Sequence, residues 1–182
     1  MSSPPTKVWL LTGPPGIGKS TLVSKVIFAV RSRGHGVGGC LTREVRKGRD
    51  RVGFRLTDLL SGNEAELASV SGLGPRVGRY RVNITNLSTV GANSLLQAAE
   101  LADFIVIDEV GPMELTSSEF RRGVKACLAK SKPMLIVLHE SMKDPLITEI
   151  SAQPNSKLVE LTLHNREGII EQLPSEIALS LG

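Results

Sequence analysis

The fold of this chain is decided by the stretch Gly13-Pro14-Pro15-Gly16-Ile17-Gly18-Lys19-Ser20. A short apolar run at residues 7–12 precedes it and predicts a buried strand. The residues that follow, 19–33, repeat apolar side chains at helical spacing. The octapeptide matches G-x-x-x-x-G-K-[ST] in full, and it lies between a strand and a helix, as that motif requires. We therefore predict a loop that binds the phosphates of a nucleotide.

Each part of this loop has a physical role. Glycines let the backbone turn so that successive N–H groups point at phosphate oxygens, and the following helix adds the positive end of its dipole. Lys19 is expected to reach the β- and γ-phosphates, the Ser20 hydroxyl to ligate Mg²⁺, and Thr21 to approach the α-phosphate. A ligand-free glycine turn is the alternative, but it is more typical of looser patterns. The predicted nucleotide-binding residues in this segment are Gly13, Pro14, Pro15, Gly16, Ile17, Gly18, Lys19, Ser20 and Thr21.

Two carboxylates directly follow the apolar run Phe104-Ile105-Val106-Ile107. The carboxyl ends of parallel strands form the ligand-binding edge of such sheets. Asp108 is therefore predicted to hold Mg²⁺ as a Walker-B aspartate, and Glu109 to activate the attacking water. A strand can also end in acidic residues simply because it has reached solvent. Beside a phosphate loop, the pair favours hydrolysis over a kinase, which needs an acceptor site and the exclusion of water.

Predicted strands and helices alternate along most of the chain. Residues 37–45 and 52–60 are strand-like and flank a polar turn at 46–51, which indicates an antiparallel hairpin, and residues 76–83 are expected to join it. Further strands are predicted at 104–107, 134–138 and 157–163, and helices at 86–102, 116–129, 144–150 and 166–181, the last broken at Pro174. This order predicts an α/β fold of the Rossmann-like P-loop type, with a mainly parallel sheet flanked by helices and an inserted antiparallel hairpin section.

Composition limits the classes of function. The chain has 182 residues, of which 41% are hydrophobic, which suits one compact domain spanning 1–182. Its net charge of +4 equals the excess of basic over acidic residues between positions 43 and 55, so the positive charge is local. With 3% aromatic residues the chain lacks stacking platforms for single-stranded nucleic acid. Nucleic-acid binding is therefore a minor hypothesis.

Targeting signals are not evident. Residues 1–6 resemble a short frayed tail, without the basic start and long apolar run of a signal peptide. No apolar run approaches the roughly 20 residues that cross a bilayer, so no membrane association is expected. Cys40 and Cys127 have neither metal-ligand spacing nor enough partners for a disulfide framework, and we expect them to pack in the core. A cytoplasmic, monomeric protein is predicted.

Several strings in the chain resemble one family. They are TGPPGIGKST at 12–21, LTREVR at 41–46, VGFRL at 52–56, VGRYRVN at 77–83, IDEVGPMEL at 107–115 and HNR at 164–166. Their order and spacing are similar to the nucleoside-triphosphatase family of archaea and thermophilic bacteria, whose vertebrate member is called cancer-related nucleoside triphosphatase. The resemblance covers nearly the whole chain, and the TREVR and DEVGPME strings are its most specific part. At His139-Glu140-Ser141 the chain departs from it, in a region that varies within the family.

The resemblance implies a P-loop domain that cleaves ATP, GTP, CTP, UTP and TTP with little preference for the base. It carries the family's nucleotide-binding segments onto two parts of this chain. The first is the loop from Gly13 to Ser20. The second comprises Phe104, Ile105, Val106, Ile107, Asp108, Glu109, Val110 and Gly111.

Four further residues are candidates with close alternatives. Arg43 or Arg46 could neutralise charge on the transferring phosphoryl group, although a solvated basic hairpin explains them almost as well. Asn165 and Arg166 follow the last predicted strand, where a loop commonly passes near the base, but Asn165 could equally be a helix N-cap.

The chemistry predicted from the sequence is slow, Mg²⁺-dependent hydrolysis of nucleoside triphosphates, with Lys19 and Glu109 as the main catalytic side chains. Two alternatives stay open at this point. One is a small-molecule or nucleotide kinase, because the same loop serves both reactions. The other is a nucleotide-dependent, RNA-associated switch.

Overall fold

A computed structural model describes residues 7–182, so the tail predicted at 1–6 lies outside the described residues. The strands in this part of the chain are β1 (Val8–Thr12), β2 (Val37–Lys47), β3 (Asp50–Asp58), β4 (Glu64–Ser69), β5 (Arg76–Val77), β6 (Tyr80–Val82), β7 (Phe104–Val110), β8 (Met134–Leu138) and β9 (Ser156–Glu160). The helices are α1 (Lys19–Ser32), α2 (Ile84–Asn86), α3 (Ala92–Leu101), α4 (Ser118–Ala129), α5 (Pro145–Ser151) and α6 (Arg166–Ser180). A π-helical turn (Leu87–Gly91) joins α2 to α3, and a 3₁₀ turn (Glu114–Thr116) precedes α4.

All nine strands form one mixed sheet in the order β5-β6-β4-β3-β2-β7-β8-β1-β9. The half from β2 to β9 is parallel, and the half from β5 to β2 is antiparallel. β2 belongs to both halves, because its first part, from Val37 to Leu41, pairs with β7, and its later part, from Cys40 to Lys47, pairs with β3. The predicted α/β fold, with a mainly parallel sheet and an antiparallel insertion, is confirmed.

Helices cover the two faces of the sheet in separate apolar layers. On one face, α1 and α6 pack over the layer that contains Trp9, Phe104 and Ile177. On the other face, α3, α4 and α5 pack over the layer that contains Ile105, Phe120 and Ile150. Cys40 and Cys127 are buried free thiols, as expected. No helix within residues 7–182 is long and apolar enough to cross a membrane.

The hairpin section differs in detail from the prediction. β2 and β3 continue through the stretch predicted as a turn, so the chain reverses at Gly48-Arg49 alone. The predicted strand at 76–83 is split into β5 and β6 by a tight turn. Arg79 therefore lies in that turn, where its Nη2 donates to the Arg51 carbonyl. Glycines at positions 48 and 78, both with positive φ, let these short turns form.

The predicted break at Pro174 is wrong. α6 runs through this residue to Ser180, although proline cannot donate the backbone hydrogen bond that the preceding turn would accept. Pro174 is buried together with Leu173, Ile177 and Ala178, which face α1. Tertiary packing against α1 therefore stabilises the helix on both sides of the proline.

The strand order fixes which loops meet at the carboxyl edge of the parallel strands. β8 lies between β1 and β7, so the loops that follow β1 and β7 are two strand spacings apart, or about 10 Å. The chain leaves β1 toward α1 on one face and leaves β8 toward α5 on the other face. Such a reversal opens a crevice at the sheet edge, where ligands bind in folds of this kind.

A polar clamp holds the helices beside this edge. Arg121 on α4 donates two hydrogen bonds to the carboxylate of Asp144, at 2.9 and 2.8 Å, and a third to the Leu115 carbonyl. Asp144 also caps α5, because its Oδ1 accepts a hydrogen bond from the Leu146 amide. The arginine holds the pKa of the Asp144 carboxyl below its usual range. Arg121 and Asp144 together thus join the 3₁₀ turn, α4 and α5.

We predict that the two tasks of Asp144 separate by mutation. Asp144→Asn keeps a capping oxygen and loses the charge, so it should lower the free energy of unfolding by about 1 kcal/mol, whereas Asp144→Ala should lower it by about 2 kcal/mol. Urea denaturation measures both. The control is Glu149→Ala, which removes the exposed Lys125–Glu149 ion pair and should cost no more than about 0.5 kcal/mol. Equal losses in the two Asp144 variants would contradict the assignment of a separate cap.

Candidate functional site

The loop between β1 and α1 presents backbone donors to the carboxyl edge. Gly13, Gly16 and Gly18 have φ of 145°, 76° and 118°, values that favour glycine. Gly18 is the N-cap of α1, and no side chain caps that helix. The first N–H groups of α1 consequently face the edge without a side-chain partner, and with the helix dipole they favour an anion. Ile17 anchors the loop, because its side chain is buried in the layer under α1.

Lys19, Ser20 and Thr21 stand at the start of this helix. The Lys19 ammonium donates to the carbonyl oxygens of Gly13 and Pro14, so the side chain lies across the loop that it follows. Ser20 and Thr21 are exposed, as are Pro14, Pro15 and Gly16. The exposed hydroxyls and the ammonium group thus share the surface above the loop.

The loop also contacts the start of α6. Arg166 Nη1 donates to the Ile17 carbonyl at 3.5 Å, which brings this predicted residue to the phosphate loop. Asn165 occupies the N-cap position of α6, but its side chain does not cap the helix. It donates to the Glu160 carbonyl and accepts from the Thr162 amide instead. Asn165 therefore shapes the turn that places Arg166.

Asp108 and Glu109 lie at the end of β7. The side chains of Phe104, Ile105, Val106 and Ile107 are fully buried, so these four residues of the predicted segment support the acids from within the core. The pairing of β7 with β8 shifts register between Ile107 and Val110, which places an irregularity at the two acids. Such a bulge re-aims side chains locally. Both carboxyl groups are half-buried at the crevice.

The electrostatics of this pair follow from burial. Burial, and then the charge of Glu109, raises the pKa of Asp108 to about 7, while Lys19 and Arg43 act in the opposite direction. Burial likewise raises the pKa of Glu109, opposed by the charges of His139 and Lys19. Lys19 thus acts on both carboxyl groups from across the crevice. A cation bound here would relieve the repulsion between them.

His139 occupies the middle of the edge. It follows β8, and its backbone amide donates to the Val110 carbonyl at 3.2 Å, which ties the end of β8 to the end of β7. Its Nδ1 faces the Ser141 amide, and its charge acts on Glu109. Sequence reasoning left this residue with a doubtful role, because its position between the two motifs follows only from the strand order.

The two candidate arginines are separated by the alternation of β2. Arg43 lies on the same face as Leu41, which packs under α1, and it is near enough to lower the pKa of Asp108. Arg46 does not join the site: its guanidinium pairs with Glu44 at 2.7 Å and donates to the Arg49 carbonyl. The structure therefore brings Arg43, and not Arg46, to the acidic pair.

Sequence reasoning missed Glu114 and Thr42. Glu114 is only 3% exposed, and its Oε1 accepts a long hydrogen bond of 3.5 Å from the Thr42 hydroxyl. A substituent on Gly111 would stand 2.8 Å from Glu109 Oε1 and 3.3 Å from Glu114 Oε2. The one signal for Glu114 in the sequence was its position between the apolar residues Met113 and Leu115. The burial of its carboxyl group could not be predicted, because it depends on the packing of β2 against β7.

The donor set fits Mg²⁺. Mg²⁺ usually binds to one or two carboxylates, substrate phosphates and water, and it prefers hard oxygen ligands. The Ser20 hydroxyl and the Asp108 carboxylate supply such oxygens on the two sides of the crevice. The part of the chain that the structure describes contains no cluster of three or more His, Cys, Asp or Glu side chains able to hold a metal unaided. A metal bound here would need the phosphates as ligands.

A cavity of about 510 Å³ lies away from these residues. Its lining includes His35, Asp103 and Lys132, which belong to loops at the opposite, amino-terminal edge of the parallel strands. None of the predicted site residues lines it. The predicted site residues lie instead at the carboxyl edge of the parallel strands.

A strand, a glycine loop and a helix that face an acidic pair across one intervening strand define a P-loop nucleotide-binding fold. The profile of the family described as NTPase matches residues 8–176. The chain is 46% identical to nucleoside-triphosphatase THEP1 of Thermofilum pendens over 94% of this chain and 96% of the relative. It is 38% identical to the protein of the same name from Methanosarcina acetivorans, over 94% and 97%.

Solved structures agree with these sequence matches. The crystal structure of THEP1 from Aquifex aeolicus has a TM-score of 0.80 at 32% identity and covers 93% of this chain and 98% of that one. The solution structure of a human cancer-related nucleoside triphosphatase has a TM-score of 0.78 at 31% identity, over 94% and 97%. The chain belongs to this nucleoside-triphosphatase family, as the sequence strings indicated.

We predict that a Mg²⁺ complex of a non-hydrolysable nucleotide stabilises the protein. At 100 times its dissociation constant a ligand adds about 2.7 kcal/mol, which corresponds to a rise in Tm of roughly 5–10 °C for a chain of this size. Lys19→Ala and Asp108→Asn should lose most of this rise, because each removes a charge that the complex needs. Thermal scanning fluorimetry measures the shift. Lys25→Ala, an exposed lysine of the same helix, should keep it in full.

Proposed function

We propose that this protein hydrolyses nucleoside triphosphates to the diphosphate and inorganic phosphate with the help of Mg²⁺. The observation that carries the proposal is the position of Glu109 beside Asp108, across one strand from the loop that ends in Lys19. A carboxylate placed one strand away from a phosphate loop can orient a water molecule in line with the terminal phosphate. The family relationship supports the same reaction.

In the proposed reaction, water attacks the γ-phosphorus while the bond to the bridging oxygen breaks. The water proton passes to Glu109, whose pKa is raised by burial and is therefore closer to that of an effective base at neutral pH. Lys19 and the backbone N–H groups of the loop stabilise charge on the phosphate oxygens. Ser20 and Asp108 would hold Mg²⁺, which neutralises charge on the β- and γ-phosphates when bound. Catalysis is mainly a matter of positioning and electrostatics.

Arg43 is the arginine that we assign to charge stabilisation. The residue directly opposite Arg43 on β3 is Arg55. Two like charges opposite each other on neighbouring strands are an unfavourable pair. Arg55 is compensated by Glu64 at 3.0 Å, whereas the described residues give Arg43 no ion pair of its own. A phosphate bound beside Asp108 would supply the counter-charge for Arg43.

We expect little discrimination between bases and slow turnover. The side chains gathered at the crevice are charged or hydroxyl groups suited to phosphate and metal, and ATP, GTP, CTP, UTP and TTP share that part. The arginine lies on a strand of the sheet and is not supplied by a closing partner, so we do not expect the full acceleration of an arginine delivered in trans. A cytoplasmic location and a monomeric state stay predictions.

Phosphate release with Mg²⁺ and each nucleotide tests the proposal. We expect turnover by the unaltered protein, and a fall of at least about 100-fold in Lys19→Ala and in Glu109→Gln. Glu109→Gln should still bind nucleotide, which shows that its loss is catalytic. Unchanged release in either variant would overturn the assignment. Transfer of the labelled phosphate to an added acceptor instead of water would identify a kinase.

A matched pair of variants tests the arginine. Arg43→Ala should lower kcat by about 100-fold, as for loss of one group that stabilises transition-state charge, with a small change in KM. Arg55→Ala removes the opposite arginine of the same cross-strand pair and should leave kcat within about twofold. Steady-state kinetics of phosphate release give both values. Similar losses of kcat in the two variants would show that the rate depends on the overall positive charge of the hairpin and not on Arg43 in particular.

A further inference from the structure

Glu114 is a buried carboxyl group without a catalytic role in the mechanism above. It lies in the 3₁₀ turn after β7 and is 3% exposed. The turn is held firmly, because the Leu115 carbonyl accepts a hydrogen bond from Arg121, and Asp144 in turn holds that arginine. The turn that carries Glu114 is therefore tied to α4.

The surroundings of Glu114 contain no cation. Within residues 7–182 no lysine, arginine or histidine forms an ion pair with it; the charged groups near it are Glu109 and Asp108, while β2 contributes the Thr42 hydroxyl and the Cys40 thiol. Burial and then the charge of Glu109 raise the pKa of Glu114 to about 8. Burial without a cation partner favours the neutral form of this carboxyl group. A neutral carboxyl group has one O–H to donate.

The Glu109 carboxylate is the nearest acceptor of functional interest. Both carboxyl groups border the space that a side chain on Gly111 would fill, with oxygens at 2.8 and 3.3 Å from the Cβ position. Because residue 111 is glycine, no side chain separates them. Because both oxygens lie close to this one point, the two carboxyl groups are direct neighbours across the gap.

We propose that Glu114 is a positioning residue for Glu109, donating a hydrogen bond across Gly111 that fixes the carboxylate toward the attacking water. The inference rests on the proposed hydrolysis, in which Glu109 accepts the water proton. A neutral donor suits this task, because it orients the base without adding a third negative charge next to Asp108. The glycine between the two acids keeps the path open.

Two substitutions of similar size separate the donor from the bulk. Glu114→Gln keeps a donor on a neutral group, so kcat should stay within about threefold of the unaltered protein. Glu114→Met fills the same space without a donor, so kcat should fall by roughly 10- to 100-fold, as for misplacement of a catalytic group by about 1 Å. KM for the nucleotide should change by no more than about twofold in both variants, because the phosphate loop is untouched.

The outcomes are decisive for this role. Rescue by Gln together with loss in Met supports positioning. Equal kcat in all three proteins, equal loss in both variants, or a rise in KM at constant kcat would overturn it. If the Met variant does not fold, Gly111→Ala asks the same question, because its methyl group would enter the gap 2.8 Å from Glu109 Oε1. Its control is Gly168→Ala, which meets no atom within 4 Å.

Glu109→Gln, measured in parallel, keeps the two proposals apart. An inactive Glu109→Gln beside a fully active Glu114→Met refutes the positioning role alone. An active Glu109→Gln refutes the assignment of Glu109 as the base, and with it any positioning role for Glu114, whatever the Glu114 variants do.

Discussion

Mutual repulsion of carboxyl groups at one sheet edge is the constraint on which the rest of the site depends. Asp108, Glu109 and Glu114 share this edge and are all partly or fully removed from water. The charge of Glu109 raises the cost of ionising Asp108 and Glu114, and Asp108 adds to the cost at Glu114. Lys19 on one side and Arg43 on the other supply the opposing charge. These groups lie on both sides of the acids, on the phosphate loop and on the hairpin. In the proposed reaction, a phosphate–metal complex bound between them completes the balance of charge.

The antiparallel section contributes to this balance although it is an insertion in the parallel fold. β2 pairs with β7 as far as Leu41 and Asp108, and then continues past the edge as part of the hairpin with β3. This continuation carries Arg43 beyond the carboxyl ends of its neighbours, and it places Thr42 on the opposite face against Glu114. One strand thus supplies a cation above the acids and a hydroxyl below them.

Features that depend on contiguous residues could be predicted from the sequence. The loop at residues 13–20 and the acids at 108 and 109 are local patterns, and the helical and strand periodicities around them gave the fold class. Contacts between distant segments could not be predicted, as with Thr42 and Glu114 or Arg166 and Ile17. The continuous helix through Pro174 belongs to the same class, because packing outweighed a local rule.

The position of β1 also governs when the site can form. Its neighbours in the sheet are β8 and β9, which lie in the last third of the sequence. Closing loops of that length is slow relative to forming local contacts. During synthesis, the emerging amino-terminal half holds the phosphate-loop motif but no strand on which β1 can dock. The phosphate loop therefore follows a strand that gains its neighbours in the sheet only when the last third of the chain is available.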